Sequence, residues 1–529
     1  MKKEIKHIGV LGGGTSGYLS ALCIQRLLPG IEVTVIESSS VPIIGVGEST
    51  TPKLLRMLHD VLGFDISEFY RDVKPTWKLG VRYWWGVDEP EFTNNALGFI
   101  SPFLSNEIKG DINYNSLNSR LMEHDKSFIV KTGNPEKPYK SHAIPHSYAY
   151  HLDNESLSAY LKKKAIERGI RVKDRKVVDV SMSENGLISG LLCESGDLMS
   201  FDFYVDCSGF RSLLLEKAMK AQYIPYNESL FTDTAIAGNV SHSGIIKPYT
   251  EARTMNNGWQ WNIPMRNDDH LGYLYASNYC SDEEAEQEFR ALNPGLGELR
   301  KIKFRSGRHK QFTVGNVAAV GNSYGFIEAL QSTALHMVIT NVYALVLHLM
   351  DLRAGRNRSE LIGDNLGEIW DRLRWFIAMQ FKYNSRKKSE FWTACREDAD
   401  VSGIEGWIKT FETKGPLHWV KNEQESIGET EQYQIYGLFS HDFMLKVLGF
   451  LPAKMPRAIK NADHTLWKGK FAIWDQLAQN AYYQHEVLHL VESHPEILEF
   501  DKFFAEPFIL DREFDLFDEM NIVDFIVRS

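Results

Sequence analysis

Short apolar runs and helical alternation divide the start of the chain into strand, turn, helix and strand. His7-Ile-Gly-Val-Leu11 has the length and apolar character of a buried strand. Tyr18 to Leu28 carries helical periodicity and stops at Pro29-Gly30. Val33-Thr-Val-Ile36 is a second buried strand, ended by Glu37. Farther on, Ser156–Arg168 reads as a helix, followed by a strand ending near Val180. Strand patterning dominates residues 187–206 and 230–275. Ser332 to Met350 contains no Lys, Arg, Asp or Glu over 19 residues. Its His336, Asn341 and His348 make a buried helix the expected reading, not a membrane span. From about residue 357 the pattern is helical and rich in Trp, Phe and His. Together these elements predict an α/β protein: a nucleotide-type unit, a sheet-rich layer and a C-terminal, mostly helical cap.

Composition narrows this picture. A chain of 529 residues predicts two or more structural units around a large core. Its 43% hydrophobic and 24% charged residues are those of a soluble globular protein. A net charge of −10 argues against general affinity for nucleic acid or anionic membranes. Arg386-Lys387-Lys388 is a small basic cluster that reads as a solvated face. The five cysteines are scattered without a CxxC pair, which suggests neither a zinc site nor a disulfide framework. The N-terminal residues enter a strand at once, so no signal peptide is expected and the expected location is cytoplasmic.

The turn after the first strand, Gly12-Gly-Gly-Thr-Ser-Gly17, completes a βαβ opening. Gly12 permits the tight turn, Gly14 lets the backbone approach a pyrophosphate, and Gly17 lets helix and strand pack closely. Thr15 and Ser16 stand where the helix amides meet the phosphates. Glu37, about 20 residues beyond, is placed to accept hydrogen bonds from a ribose, which favours FAD or NAD(H) over NADP(H). A second unit of this kind is Ala318-Ala-Val-Gly321-Asn322, leading into the apolar helix. Val205-Asp206-Cys-Ser-Gly-Phe-Arg211 ends a strand in a turn that can set backbone amides against a cofactor.

Trp259 and Trp261 stand in Gly258-Trp-Gln-Trp-Asn-Ile-Pro264. In a strand, positions i and i+2 share a face, so the indoles are expected side by side, with Pro264 ending the strand. Such a pair is either ordinary aromatic core or a wall lining a cavity.

With these motifs the chain resembles the flavin-dependent halogenases of the tryptophan-halogenase-like family. Trp259, Trp261, Ile263 and Pro264 match the family's WxWxIP element. Gly45-Val-Gly47-Glu48-Ser49-Thr50-Thr-Pro52 matches its flavin strap. Tyr150-His-Leu-Asp153, Asp206-Cys-Ser-Gly-Phe-Arg211 and Gly321-Asn-Ser-Tyr-Gly-Phe-Ile-Glu328 match further segments, with Ala329 where the family has proline. Phe391-Trp392 and Leu448–Pro452 match more loosely.

The resemblance implies an FAD-binding, doubly wound domain of the glutathione-reductase or aromatic-hydroxylase type, with a mixed β-sheet substrate layer and a helical cap. The implied division is residues 1–355 for the FAD and sheet module, with its nucleotide core at 1–90, 150–215 and 300–355, and residues 356–529 for the cap. It implies reduced FAD supplied by a separate reductase, O2 and a halide ion (chloride, bromide or iodide). A flavin hydroperoxide would yield hypohalous acid, which reaches a lysine beside a small aromatic substrate. That lysine falls at Lys78, in Thr76-Trp77-Lys78-Leu79-Gly80. An ammonium there polarises the O–halogen bond, and desolvation makes a neutral amine accessible for a haloamine. The Trp pair would then deny the substrate ring direct access to the flavin.

Two departures bear on the chemistry. Gln331 replaces a family glutamate and cannot act as a base. Ala334 replaces a glycine of the halide cradle Ser332-Thr333-Ala334, adding a methyl and disfavouring positive φ. Bromide and iodide, easier to oxidise, are therefore expected to be used better than chloride. Glu431 to Ser440 contains no Phe-Trp pair, so the expected substrate is a free indole, phenol or other small aromatic, outside tryptophan itself. Phe103 is placed to stack on such a ring. Rival readings are an FAD-dependent aromatic monooxygenase and a flavin-binding protein without halogenating activity. Neither nucleic acid nor membrane is an expected partner, and a homo-oligomer is left open.

Overall fold

The protein is described here by a computed structural model. It describes residues 5–41, 47–87, 99–103, 116–142, 148–242, 244–422, 433–452 and 464–498. The chain is a mixed α/β protein of several sheets and many helices. Gly45 and Glu431 of the motifs above lie outside the described residues.

A six-stranded sheet runs in the order Arg171–Asp174, Glu32–Glu37, His7–Leu11, Phe203–Asp206, Val317–Ala319, Thr313–Val314. Its first five strands are parallel, and the last closes the edge antiparallel. The apolar runs of residues 7–11 and 32–37 are central because both faces are covered, as parallel strands require. The helix after the glycine turn spans Thr15–Leu27. The glycines there are demanded by contact. Gly12 has φ +131°, and a Cβ on it would stand 2.1 Å from the Cys207 carbonyl oxygen.

A seven-stranded sheet follows the order Arg300–Lys303, Thr234–Val240, Asp269–Tyr275, Gly258–Pro264, Thr250–Met255, Gly80–Trp84, Phe99–Pro102. A third, three-stranded sheet carries most of the chemistry discussed below. Its central strand, Ala149–Asp153, pairs antiparallel with Gly47–Ser49 and Thr76–Lys78. The register sets Ser49 and Thr76 on either side of His151, and Lys78 beside Ala149.

The apolar stretch that begins at Ser332 forms the helix Thr333–Arg353. It is long and apolar enough to cross a membrane, but 89% of its apolar window is buried inside the protein. A helix apolar on all sides fits that position. Its C-terminal Asp351 is fully buried and paired with Arg356 and Arg358 at 3.0 and 2.8 Å. The described chain beyond Ser359 is helical, beginning with Ser359–Lys382. Those helices share one hydrophobic core with the sheets: Ile8, Tyr150, Trp259, Val342, Phe376 and Trp392 belong to the same buried cluster.

Candidate functional site

The glycine turn places the uncapped N-terminus of helix Thr15–Leu27 beside the ends of three parallel strands. Gly14 caps that helix without a side-chain hydrogen bond, and open space lies where its Cβ would be. The first amides are therefore left for an anionic ligand. Glu37 ends its strand with both oxygens engaged. One accepts from the Tyr18 hydroxyl at 2.7 Å, the other from Lys162. Each oxygen keeps a further lone pair for a ribose. The second glycine, Gly13, makes room for Glu37: a Cβ there would approach its carboxyl oxygen to 2.4 Å. Thr15 departs from expectation, because its hydroxyl is spent on Asn154 at 2.6 Å and Ser158 at 3.1 Å.

Asp206 ends its strand, fully buried. Its carboxylate accepts from the amide and hydroxyl of Ser208 and from the amides of Leu214 and Leu215. With four protein donors it organises the turn and the helix start that follows, and offers no ready oxygen to a cofactor.

The second glycine turn opens a narrow cleft lined by Gly321, Asn322, Thr333, Ala334, Asn341 and Trp370. The Asn341 carboxamide is fully buried, and neither its oxygen nor its nitrogen has a hydrogen-bond partner. An orphaned amide is costly unless something fills the cleft. A flavin, with carbonyl and N–H edges and a polar side chain, fits that requirement. The residues present thus suit FAD in both turns.

Lys78 is buried and held by specific partners. It lies at the end of its strand with zero solvent exposure. Its Nζ donates to the Thr50 carbonyl at 2.8 Å and to the Ser332 hydroxyl at 2.6 Å. It also stands 4.8 Å from the centre of the Phe103 ring. No carboxylate pairs with it among the described residues. Burial holds its pKa well below the usual lysine range.

Ser332 is the pivot of this arrangement. It adopts φ +61° immediately before the long helix, and its hydroxyl meets both Lys78 and Ser49. The positive φ expected to trouble Ala334 falls on Ser332 instead. Ala334 sits in ordinary helix, so its methyl strains nothing and only narrows the cleft beside Gly321. The Thr333 hydroxyl turns back toward the Glu328 carbonyl at 3.4 Å.

Gln331 is tied at both ends. Its Oε1 accepts from the Tyr83 hydroxyl at 2.7 Å, and its Nε2 donates to Gln380 Oε1 at 2.6 Å. It lines a cavity of about 430 Å³ with Phe103, Tyr83, His336, Tyr436 and Lys53. His336 bonds Thr51 through Nδ1 at 3.0 Å, while its Nε2 has no partner. Burial, then the charge of Lys53, keeps that imidazole well below its ordinary pKa. Sequence reasoning assigned no role to His336 or Asn341. The signal was their presence as polar breaks in an otherwise apolar helix.

Trp259 and Trp261 share one face of their strand, with ring centres 6.0 Å apart and planes at 58°. Trp259 is buried, and Trp261 half-buried. Opposite Trp261 the neighbouring strand carries Gly272, where a Cβ would come within 1.9 Å of the indole. Pro264 closes the strand, and its carbonyl accepts from Thr76 at 2.7 Å. Near Trp259 lies the buried Glu328, bound by the Thr232 hydroxyl. Burial raises its pKa to about 8, with Thr232 and Trp259 pulling the other way. Glu48, in the strap strand, is raised by burial to about 7.

The tryptophan halogenase family model matches residues 7–459. Tryptophan 7-halogenase RebH of Lentzea aerocolonigenes is 27% identical over 516 residues, covering 88% of this chain and 94% of that protein. Tryptophan 7-halogenase KtzQ of Kutzneria sp. (strain 744) is 30% identical over 444 residues, covering 78% and 83%. The crystal structure of MibH, described as a lathipeptide tryptophan 5-halogenase, is similar with a TM-score of 0.84 and 35% identity, covering 94% of this chain and 95% of that one.

Proposed function

The chain belongs to the tryptophan halogenase family and is a flavin-dependent halogenase; from that premise we propose that Lys78 delivers the halogen to an electron-rich ring held in the cavity beside Phe103. The observation that carries this reading is a fully buried lysine with neutral acceptors and, among the described residues, no counter-ion, next to an aromatic face. A lysine is rarely buried without a partner unless its altered acidity serves a purpose.

Reduced FAD, when bound, supplies the hypohalous acid from O2 and halide, and a separate reductase provides it in reduced form. In our reading the parallel sheet and its two glycine turns hold FAD: Gly12, Gly14, Ser16, Gly17, Glu37, Gly321, Asn322 and Asn341 form the cradle. Gly47, Glu48, Ser49 and Thr50 form the strap over it. Ser332, Thr333 and Ala334 border the halide. Trp259, Trp261, Ile263 and Pro264 wall the flavin from the ring, so only small species pass. Thr50 and Ser332 use two of the three Lys78 protons, aiming the third at the incoming oxygen. Exclusion of water by this packing protects the reactive acid. The helices beyond residue 356 form the cap that supplies Tyr436 to the cavity.

The substrate is read as an indole or a similar small aromatic, and bromide and iodide as better halides than chloride. The test supplies reduced FAD, O2, each halide in turn, and indole, L-tryptophan or a tryptophan-containing peptide. Mass spectrometry then reads the product. Halogenated product lost in Lys78→Ala, with FAD binding kept, is expected. A gain of one oxygen in place of halogen, or halogenation surviving Lys78→Ala, overturns the proposal. Faster chlorination than bromination refutes the halide preference.

A further inference from the structure

The Lys78 ammonium is the start of a continuous hydrogen-bonded row. Its Nζ donates to Ser332 Oγ at 2.6 Å. Ser332 meets Ser49 at 2.9 Å, and Ser49 meets Thr250 at 2.5 Å. Thr250 meets Nε2 of His151 at 2.9 Å, and Nδ1 of His151 meets the Thr76 hydroxyl at 3.3 Å. Every member is buried. The row joins five separate parts of the chain, so no local turn or cap explains it.

The direction of the row follows from its far end. Thr76 donates its proton to the Pro264 carbonyl, which can only accept. Thr76 Oγ1 therefore accepts from Nδ1–H of His151. A neutral imidazole protonated at Nδ1 has a bare Nε2, so the Thr250 hydroxyl must donate to it. Thr250 Oγ1 is then free to accept from Ser49, and Ser49 from Ser332. All donors point one way, from Lys78 to His151.

We propose that His151 stores the proton of Lys78, passed through the hydroxyls of Ser332, Ser49 and Thr250, while the amine carries the halogen. The proposal rests on the halogenase reading above. Lys78 releases one proton to Ser332, each hydroxyl passes its own proton one place on, and His151 Nε2 gains one. No electrons move. The neutral amine then displaces water from hypohalous acid, forming an N–halogen bond as the O–halogen bond breaks. Transfer of the halogen to the ring breaks the N–halogen bond, and the ring proton goes to the amine nitrogen. His151 returns the stored proton along the same row, restoring the ammonium. Over the cycle, ring C–H and hypohalous acid become ring C–halogen and water.

The surroundings allow one proton on the pair of Lys78 and His151, not one on each. The neighbours of His151 on its flanking strands are Ser49 and Thr76, both neutral. Burial holds the imidazole well below its ordinary pKa, and the charge of Lys78 lowers it further. That second effect vanishes once Lys78 has given up its proton, so the two groups take turns. The arrangement also meets the need left by Gln331, which cannot accept a proton in this way. His151 meets Thr76 and Thr250 and acts through Lys78; it is a positioning residue for the Lys78 proton.

Two measurements decide it. In the full-length protein with 15N-labelled histidine, NMR should show neutral His151 protonated at Nδ1, its signal assigned by loss in His151→Gln. An Nε2–H tautomer reverses the row and overturns the proposal, whether or not the enzyme halogenates. Thr250→Val cuts the row at nearly constant volume, whereas Thr250→Ser keeps the hydroxyl. Single-turnover bromination should fall about tenfold or more in the valine variant and recover in the serine variant, with KM unchanged. Equal rates in the two variants, at matched melting temperatures, overturn the proposal. Absence of halogenated product in the parent enzyme fails the functional reading instead, and the NMR result still decides the direction of the row.

Discussion

Replacing Gln331 by glutamate puts back the acid that the family pattern leads one to expect, and the structure says the change is unfavourable. Tyr83 donates to Gln331 Oε1, Gln331 Nε2 donates to Gln380 Oε1, and Gln380 Nε2 donates to the Phe376 carbonyl at 3.0 Å. A carboxylate at 331 keeps the Tyr83 bond but faces the Gln380 oxygen, 2.6 Å from the present nitrogen, with another acceptor. Turning the Gln380 amide over moves the clash to the Phe376 carbonyl. One buried acceptor pair is left unmade either way, at a cost of about 1–2 kcal/mol for this half-buried position. The carboxyl escapes only by staying protonated and donating to Gln380. Its folded pKa must then exceed the value of about 4.3 expected when unfolded. The sign follows: the deficit is small below that unfolded value and grows as pH rises through the raised folded one. Urea unfolding of Gln331→Glu against the parent between pH 5 and 8 should show a widening gap. Halogenation should not improve, because a neutral carboxylic acid is no more a base than the amide. A variant as stable as the parent at pH 8, or a faster one, refutes this account of why glutamine stands there.

Other expectations follow from single contacts. Gly272→Ala drives a methyl into the Trp261 indole and should cost about 1–3 kcal/mol by overpacking; melting temperature reads this, and in the halogenase reading peroxide release rises at the expense of product. Asn341→Leu removes two unpartnered buried atoms, so the FAD-free protein should melt higher while FAD binding, followed by flavin fluorescence, weakens about tenfold. Glu328 is protonated near neutrality, its folded pKa about 8 lying above the unfolded value. Its stability contribution is full at acid pH and is lost as pH rises toward 8, so the parent should lose melting temperature between about pH 5 and 8 and Glu328→Gln should flatten that slope.

The βαβ opening was legible because its signals are local. The apolar runs, the glycines and Glu37 lie within one short stretch, and close contacts leave no room for a Cβ at Gly12, Gly13 or Gly17. The same holds for the Trp pair, whose shared face follows from strand alternation, and for the buried helix from Thr333, whose lack of charge forbids a solvent face. The partners of Asp206 were not legible, because a motif names a residue without them: the amides of Leu214 and Leu215 bind its carboxylate. Nor was the left-handed residue near Ala334, which lies two places earlier.

Local pattern by itself determined the class of fold and the turns that suit a nucleotide; the lysine was singled out by the family resemblance of its segment. It carried no sign of what surrounds that lysine. Ser49, Thr76, His151, Thr250 and Ser332 are ordinary residues far apart along the chain, and only sheet pairing and the burial of Lys78 bring them into one row. The direction of that row depends on the Pro264 carbonyl accepting from Thr76, a contact between two different sheets. Hydrogen-bond polarity in a buried network is a property of all its members together, and so it was decided by the tertiary structure alone.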